Sequence, residues 1–343
     1  MKKRWKRIAA LVLAFGLTGV LAGCGGEKQP ESAGKAEQTE GNESLKEVTV
    51  ILDYVPNTNH TGMYVALEKG YYEAEGLDVK IIEPTDGATA TLVAQGKGTF
   101  GVSYQEDVTI ARSSEDPLPV KAIATLIQHN TSGFVSLADS GITSPKDFEG
   151  KTYAGWAGPG EAPVLEAVMT KAGADFKKLD IVISDGSGFE ALGKSCDVMW
   201  FFEGWDSVMA EMNGVKLNYM PCRELDERLD YYTPVLIAGE QVLKEDPEMV
   251  KAFLRATKKG YEDTIADPAG AAKILQKAAP NYDLEMLQKS QEYLAGKFVD
   301  DAPRWGVMKE EVWQNYTDFM TEYGVIEKGL DVSGCYTNDY LPE

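Results

Sequence analysis

The sequence predicts an α/β fold built as two lobes with a cleft between them. Three observations predict it: short β-branched runs alternate with helical segments over 48–126, a second alternation runs over 151–213, and a further β run at 233–239 precedes a mostly helical remainder. Such alternation indicates mostly parallel sheets flanked by helices. About 295 residues follow the N-terminal region, more than one core usually organises, which also favours two lobes.

The first alternation predicts the first lobe, with Gly70 ending its first helix. Its strands are predicted at 48–52, 77–82, 100–104 and 120–126. Its helices are predicted at 61–70, 88–96 and 106–114.

The second alternation predicts an inserted second lobe. A strand predicted at 132–138 leads through a loop to this alternation, which has strands at 151–155, 179–184 and 197–202 and helices at 161–173, 188–194 and 205–213. The run at 233–239 predicts a strand that returns to the first lobe, and helices follow from 245, with Pro247 and Pro268 at first-turn positions. We therefore predict lobe 1 from 48–133 and 236–343 and lobe 2 from 134–235. This double crossing is typical of a hinged cleft that holds a small ligand.

The N-terminus predicts export. The basic MKKRWKR and the apolar run that follows indicate a secretory signal peptide over 1–23. Leu21-Ala22-Gly23-Cys24 resembles the bacterial lipobox, in which cleavage leaves Cys24 as the acylated first residue. A buried helix or signal anchor is the alternative, but the run is short of the about 20 residues that span a bilayer. Residues 24–47 predict a flexible tether, so we expect an extracytoplasmic protein, lipid-anchored to the bacterial cell membrane.

Charge and cysteine usage exclude several classes. The chain has 34 Lys and Arg against 54 Asp and Glu; the signal peptide holds five of the basic residues, so the mature charge is −25. Such a surface repels nucleic acid. After Cys24 only three cysteines remain, without a CxxC pair or a nearby histidine, which indicates neither a zinc site nor a redox pair. They allow at most one disulfide, and we interpret them as core thiols: Cys196, Cys222 and Cys335.

Enzyme motifs are absent from the sequence. His60 and His129 are far apart, which makes them weak candidates for a metal site or for catalysis. The chain has no GxSxG and no Walker-type loop, and GPGEAP (158–163) lacks the Lys-Ser/Thr of a phosphate cradle. We predict no catalytic residue, metal or cofactor.

Aromatic and polar residues instead follow several predicted strands. In open α/β sheets ligands bind at the carboxyl ends of strands, so these residues can line one cleft. The candidates are Asp53, Tyr54, Asn57, Tyr104, Gln105, Trp156, Glu203 and Trp205. Alternation along 197–202 places Trp200 and Phe202 on one face and Phe201 on the other, and core packing is the preferred interpretation for all three. Glu203 and Trp205 lie beyond the strand, where exposure to a cleft is expected.

Several long stretches resemble one known family. They include LDYVPNTNHTGMYVALEKGYYEAEGLDVKIIEP (52–84), GTFGVSYQEDVTIAR (98–112), EGWD (203–206) and LDYYTPVLIA (229–238). From about residue 47 to its end the chain closely resembles formylaminopyrimidine-binding lipoproteins, the solute receptors of ABC transporters that import thiamin pyrimidine precursors. The resemblance implies the two-lobed periplasmic-binding-protein fold, a monomer, an ABC permease as partner, and N-formyl-4-amino-5-aminomethyl-2-methylpyrimidine or a close relative as ligand.

The implied ligand suggests a role for each candidate. A carboxylate can accept hydrogen bonds from the exocyclic amine and the protonated ring nitrogen of an aminopyrimidine, so Glu203 is expected to take that edge. Tyr54 and either Trp156 or Trp205 are expected to stack on the ring. Asn57, Tyr104 and Gln105 are expected to hold the remaining polar atoms. Thiamin, a flavin or a flavin precursor is the alternative ligand.

The same superfamily contains an enzyme, the pyrimidine phosphate synthase of eukaryotic thiamin synthesis. Its pyridoxal-phosphate lysine and its consumed histidine correspond here to Ser103 and Asp107, and its cysteine-rich iron-binding stretch corresponds to LDYYT (229–233). Without the amine, the imidazole and the thiols, that chemistry has no reagents, so we predict a binding protein and no enzyme. A structural or adhesion lipoprotein does not explain aromatic residues at strand ends in two lobes.

Overall fold

The computed structural model describes residues 45–84, 88–327 and 330–343, which form ten strands and twelve α-helices. The strands are β1 Lys46–Ile51, β2 Leu77–Ile82, β3 Phe100–Ser103, β4 Val120–Thr125, β5 Ser132–Leu137, β6 Thr152–Gly155, β7 Asp180–Ile183, β8 Val198–Phe202, β9 Leu217–Pro221 and β10 Val235–Gly239. The helices are α1 Thr61–Glu68, α2 Tyr71–Ala74, α3 Thr89–Ala94, α4 Gln105–Ser113, α5 Glu161–Lys171, α6 Val208–Met212, α7 Cys222–Leu225, α8 Glu240–Glu245, α9 Pro247–Ala266, α10 Pro268–Gln276, α11 Leu284–Ala295 and α12 Glu310–Glu322.

Two five-stranded sheets confirm the two-lobed α/β class. Lobe 1 has the order β2-β1-β3-β10-β4, and lobe 2 has the order β7-β6-β8-β5-β9. In each sheet four strands run in the same direction, in agreement with the parallel-rich prediction, and one is reversed. The strand that enters from the other lobe, β10 in lobe 1 and β5 in lobe 2, runs antiparallel to both of its neighbours. The other pairs are parallel, so the carboxyl ends of β1 and β3 share one edge, as do those of β6 and β8.

The predicted strands all exist, with ends within two residues of the structure, and the long helices α9 and α10 are confirmed. Each of those two helices has Pro at its first position and an Asp cap before it, Asp246 and Asp267. The predicted helix over 188–194 is wrong: a short 3₁₀ turn spans Gly188–Ala191, because Gly188 and Gly193 adopt positive φ and bend the chain on both sides. The predicted helix over 205–213 begins earlier, as a π-helical turn at Glu203–Ser207 that leads into α6.

The predicted lobe boundaries cut through two strands. The breaks after residues 133 and 235 fall inside β5 and β10, which are continuous strands. Helix α12, assigned to lobe 1 from the sequence, packs three side chains into the core of lobe 2, namely Tyr316, Phe319 and Met320. We therefore propose that the lobes meet in the crossings 126–131 and 222–234, with α12 belonging to both.

The N-terminal expectations fall outside the described ranges, because the signal peptide, Cys24 and nearly all of the tether lie before residue 45. In the ranges that are described, no helix combines the length and the apolar character needed to span a membrane. The three later cysteines are buried free thiols, and burial raises the pKa of each: Cys196 to about 11, Cys222 to about 12 and Cys335 to about 11.

A close glycine contact joins α1 and α9 in lobe 1. A Cβ placed on Gly260 would lie 2.0 Å from the carbonyl oxygen of Gly62, and one placed on Gly62 would lie 2.3 Å from the ring of Tyr261. That ring in turn stacks on Trp305 at 5.0 Å between centroids. The two helices can approach this closely only because neither position carries a side chain.

Gly260→Ala should therefore destabilise the protein, although alanine favours helix by about 1 kcal/mol. Overpacking a core costs typically about 1–3 kcal/mol, and here the obstacle is a backbone oxygen that moves only if α1 moves. We expect a net loss of about 1–2 kcal/mol in the free energy of unfolding, measured by urea denaturation. Gly296→Ala is the control, since nothing lies within 4 Å of its added Cβ; an equal loss there would contradict the explanation.

Candidate functional site

Asp53 links the ends of β1 and β3. Its Oδ2 accepts a hydrogen bond from the Tyr104 hydroxyl at 2.7 Å, and its Oδ1 lies 2.7 Å from Nε2 of His60. The backbone N–H of Asn57 donates to Nδ1 of His60, so Nε2 carries the proton that His60 donates to Asp53. Burial alone would raise the pKa of Asp53, but His60 and the hydrogen bond from Tyr104 lower it. The carboxylate is ionised, and both of its oxygens are occupied within the protein.

Tyr54 and Trp156 present large aromatic surfaces to solvent. Tyr54 follows β1 and is 58% exposed, and Trp156 follows β6 in lobe 2 and is 55% exposed. The indole of Trp156 lies 5.3 Å from that of Trp200, tilted by 55°. Most large apolar side chains of the described residues are buried or half-buried, so these two positions are suited to receiving a flat ligand.

Two predicted ligand residues have structural roles. The side chain of Asn57 caps the 3₁₀ turn Thr58–His60: its Oδ1 accepts from the N–H of Asn59, and its Nδ2 donates to the carbonyl of Val55. Gln105 is fully buried; its Oε1 accepts from the N–H of Tyr232, and its Nε2 donates to the carbonyl of Val312. The backbone thus engages both amides in this structure, and a ligand contact by either residue stays a prediction.

Glu203 begins the π-helical turn after β8 and is half-buried. Its Oε2 accepts a hydrogen bond from the hydroxyl of Tyr293 on α11, and its backbone N–H donates to the carbonyl of Thr131 at 3.0 Å. No ion pair joins Glu203 to a cation in the part of the chain that the structure describes. Glu203 also lines a cavity of about 390 Å³, together with Ser207, Glu211, Gly214, Val215, Lys216, Leu217 and Tyr219.

The π-helical turn packs against α11 of lobe 1. The carbonyl of Gly204 accepts a hydrogen bond from Ser290, whose hydroxyl also lies 2.6 Å from that of Thr58. A Cβ on Gly204 would lie 2.7 Å from the ring of Tyr293, so this close approach requires glycine. Within the turn, Oδ2 of Asp206 accepts from the N–H of Phe202, and burial raises the pKa of Asp206 to about 6.

Trp205 lies in the contact between the lobes. Its ring meets that of Tyr282 edge to face, at 4.8 Å between centroids, and it packs on the apolar cluster formed by α10 and α11. Burial, Tyr54 and Asp206 together raise the pKa of Tyr282, so Tyr54 lies near this contact. Trp156 therefore has the free aromatic face, and Trp205 serves the packing of the lobes.

Two carboxylates missed by the sequence analysis flank the loop 156–160. Glu161 is 4% exposed and accepts hydrogen bonds from this loop. Glu106, from α4 of lobe 1, accepts a hydrogen bond from the Tyr316 hydroxyl at 2.6 Å, and its Oε2 would lie 2.3 Å from a Cβ added to Gly160 of lobe 2. Burial raises the pKa of Glu106. The stretch GPGEAP (158–163) could have indicated both carboxylates, because its glycines allow a carboxylate to approach the backbone closely.

His129 lies in the first crossing between the lobes. Its Nδ1 is 2.7 Å from Oδ2 of Asp230 in the second crossing, and its Nε2 is 3.2 Å from Oδ1 of Asp301, which also pairs with Lys309. The hydrogen bond with Asp230 is the main cause that raises the pKa of His129; Asp301 adds to it, and burial opposes it. The His129 ring thus joins the two crossings.

The His129 site predicts a pH-dependent stability. Because its pKa is higher in the folded protein than the unfolded value of about 6.5, its stabilising contribution is fully present below about pH 6.5 and is lost as pH rises through the folded pKa. His129→Gln should therefore lower the free energy of unfolding at about pH 5.5 and have a smaller effect at about pH 9. Urea denaturation at both pH values measures this. A loss that is equal at both would show that the charge of His129 contributes nothing.

Comparison with known proteins gives a consistent family. A family model described as "NMT1/THI5 like" matches residues 57–271. The chain is 29% identical to a formylaminopyrimidine-binding protein of Halalkalibacterium halodurans over 313 residues, 87% of this chain and 91% of that protein. It is 27% identical to a 4-amino-5-hydroxymethyl-2-methylpyrimidine phosphate synthase of Legionella pneumophila (88% of this chain, 94% of that protein) and 23% identical to the riboflavin-binding protein RibY of Chloroflexus aurantiacus (87% of each).

The fold is also found among solved structures. The periplasmic aliphatic sulphonate binding protein SsuA from Escherichia coli superposes with a TM-score of 0.67, covering 87% of this chain and 99% of that one, at 13% identity. At that identity the likeness concerns the fold alone, and it confirms the two-lobed architecture. Since the family model covers more than half of the sequence, the chain belongs to the NMT1/THI5 like family.

Proposed function

We propose that this protein is an extracytoplasmic solute-binding protein that captures a thiamin pyrimidine precursor between its lobes and delivers it to an ABC permease. The observation that carries the proposal is the 29% identity to a formylaminopyrimidine-binding protein over 87% of the chain. The ligand is N-formyl-4-amino-5-aminomethyl-2-methylpyrimidine or a close relative. Acylation of Cys24 anchors the receptor to the membrane, and it works as a monomer.

The geometry supports a planar, amine-bearing ligand. Trp156 and Tyr54 offer exposed aromatic faces, and stacking adds about 0.5–1.5 kcal/mol per face beyond burial. Tyr293 occupies Oε2 of Glu203, which leaves Oε1 as the acceptor for the amine edge. A charge-assisted hydrogen bond of this kind contributes about 1.5–3 kcal/mol. In this arrangement Asp53 accepts the hydrogen bond of the Tyr104 hydroxyl and holds that side chain in place.

Binding without chemistry is part of the proposal, because the family also includes pyrimidine synthases. The hydroxyl of Ser103 donates to Oδ2 of Asp107 at 3.3 Å, and burial raises the pKa of Asp107. Neither side chain supplies an amine for a Schiff base. A flavin is the second candidate ligand, and the similarity to RibY is what favours it.

Calorimetric titration with the formylated pyrimidine, thiamin and riboflavin tests the proposal. We expect the pyrimidine to bind most tightly and, at 100 times its Kd, to stabilise the fold by about 2.7 kcal/mol. Tighter binding of riboflavin would overturn the ligand assignment but leave a solute receptor. Binding of none of the three would overturn the proposed function.

Tyr54→Ala should weaken pyrimidine binding by roughly two- to tenfold, because one stacking face is lost. Tyr54 is exposed, so the melting temperature of the ligand-free protein should stay unchanged. Tyr54→Phe keeps the ring and should bind like the natural protein. If Tyr54→Ala also binds normally, Tyr54 does not contact the ligand.

A further inference from the structure

The loop that carries Trp156 is organised around one buried carboxylate. Oε1 of Glu161 accepts hydrogen bonds from the Tyr153 hydroxyl at 2.5 Å and from the backbone N–H of Trp156 at 3.2 Å, and Oε2 accepts from the N–H of Gly158 at 3.3 Å. Glu161 is 4% exposed and opens α5, where the helix dipole favours a negative charge. Across the described ranges Glu161 forms no ion pair, so these three hydrogen bonds alone offset the loss of hydration of its carboxylate.

The backbone is shaped to admit this carboxylate. A Cβ on Gly155 would lie 1.8 Å from Oε1 of Glu161, so only glycine permits the approach. Ala157 is held at a φ of +61°, a left-handed conformation that costs a non-glycine residue about 1–2 kcal/mol. The two backbone hydrogen bonds to Glu161 lie on either side of Ala157 and hold that conformation in place.

The side chain of Trp156 depends on the same conformation. Its Nε1 edge lies over Gly158, where a Cβ would come within 2.5 Å of Nε1, and its ring meets that of Trp200. Because the indole of Trp156 is 55% exposed, few side-chain contacts fix its position. The direction of its free face is therefore set by the conformation of the backbone at Trp156. That backbone is fixed by Glu161.

We infer that Glu161 is a positioning residue that sets the indole of Trp156 against the bound heterocycle. The inference rests on the proposed function and deepens it, since it names the group that controls the stacking face. Glutamine has the same size as glutamate, but one of its two terminal groups is an NH₂ donor. That NH₂ group would face a donor that now binds Glu161, so at least one hydrogen bond to the loop would be lost.

A double-mutant cycle tests the inference. The four proteins are the natural chain, Glu161→Gln, Trp156→Ala and the double variant, and the Kd for the formylated pyrimidine is measured by calorimetry. We expect Glu161→Gln to weaken binding roughly tenfold, or about 1.4 kcal/mol, in the natural background and less than about twofold in the Trp156→Ala background. Equal losses in both backgrounds, or no loss in the natural one, would overturn the inference. Glu166→Gln, an exposed carboxylate on α5, is the control and should bind normally.

A second readout needs no ligand. The difference between the natural protein and Trp156→Phe isolates the emission of Trp156, and its quenching by acrylamide should increase in Glu161→Gln. Unchanged quenching would overturn the inference even if no pyrimidine binds, so its failure is distinguishable from failure of the proposed function. If Glu161→Gln does not fold, Tyr153→Phe removes one donor and leaves the carboxylate; it should produce a smaller loss of affinity that also disappears in the Trp156→Ala background.

Discussion

Replacing Glu203 with glutamine is expected to weaken binding of the formylated pyrimidine by roughly tenfold or more. The change preserves the shape of the side chain and an acceptor for the Tyr293 hydroxyl, but it removes the negative charge. A charge-assisted hydrogen bond is worth about 1.5–3 kcal/mol against about 0.5–1.5 for a neutral one, and the loss falls on the amine edge of the ligand. Calorimetry on the purified variant measures the change in Kd.

Two further variants separate ligand binding from contact between the lobes. Tyr293→Phe removes the hydroxyl that bonds to Glu203 and leaves the charge, so it should cost less affinity than Glu203→Gln. Glu224→Gln neutralises an exposed carboxylate on α7, outside the cavity that Glu203 lines, and should bind normally. Equal losses for Tyr293→Phe and Glu203→Gln would mean that Glu203 acts only by joining the lobes.

Trp156→Ala should have the largest effect of any aromatic replacement in the cleft. It removes the apolar surface that the ligand buries, worth about 1.5–3 kcal/mol for a large side chain, and the stacking contribution of about 0.5–1.5 kcal/mol. We expect the Kd to rise by roughly thirtyfold or more. The ligand-free stability should be almost unchanged, because the side chain is 55% exposed.

Trp205→Ala is the matched comparison, since this indole packs between the lobes against Tyr282. It should lower the free energy of unfolding while affecting ligand contact only indirectly. If Trp156→Ala binds the pyrimidine normally, the stacking assignment is wrong. If Trp205→Ala loses affinity without losing stability, the two roles have been exchanged.

Much of the fold could be predicted because most strands are indicated by short apolar runs in the local sequence. The run VMWFF is continuous and apolar, and its alternation correctly separates Trp200, in one core cluster, from Phe201, in the other. The edge strand β9, LNYMP, escaped prediction because it is short, places only Met220 fully in the core and ends in proline. The antiparallel course of β5 and β10 depends on how the chain crosses between lobes, which no local pattern encodes.

The candidate site could be predicted only in part. Residues after strand ends could be singled out as candidates, since the topology places the carboxyl ends of β1 and β3, and of β6 and β8, at one edge of each sheet. Whether a side chain is free to contact a ligand depends on partners that are distant in the sequence. Gln105, for example, forms hydrogen bonds with Tyr232 and Val312, more than a hundred residues away. Glu161 was missed for the opposite reason, because its partners are adjacent backbone amides whose geometry depends on the left-handed Ala157.

The packing of α12 across both lobes has a consequence for the order of folding. Lobe 2 receives Tyr316, Phe319 and Met320 from near the carboxyl terminus, and lobe 1 needs β10 between β3 and β4, after all five strands of lobe 2 have been made. The core of lobe 1 is incomplete until β10 has been synthesised, and the core of lobe 2 is incomplete until α12 has been synthesised. We therefore expect the two lobes to complete their folding together, once the last segments of the chain have been synthesised.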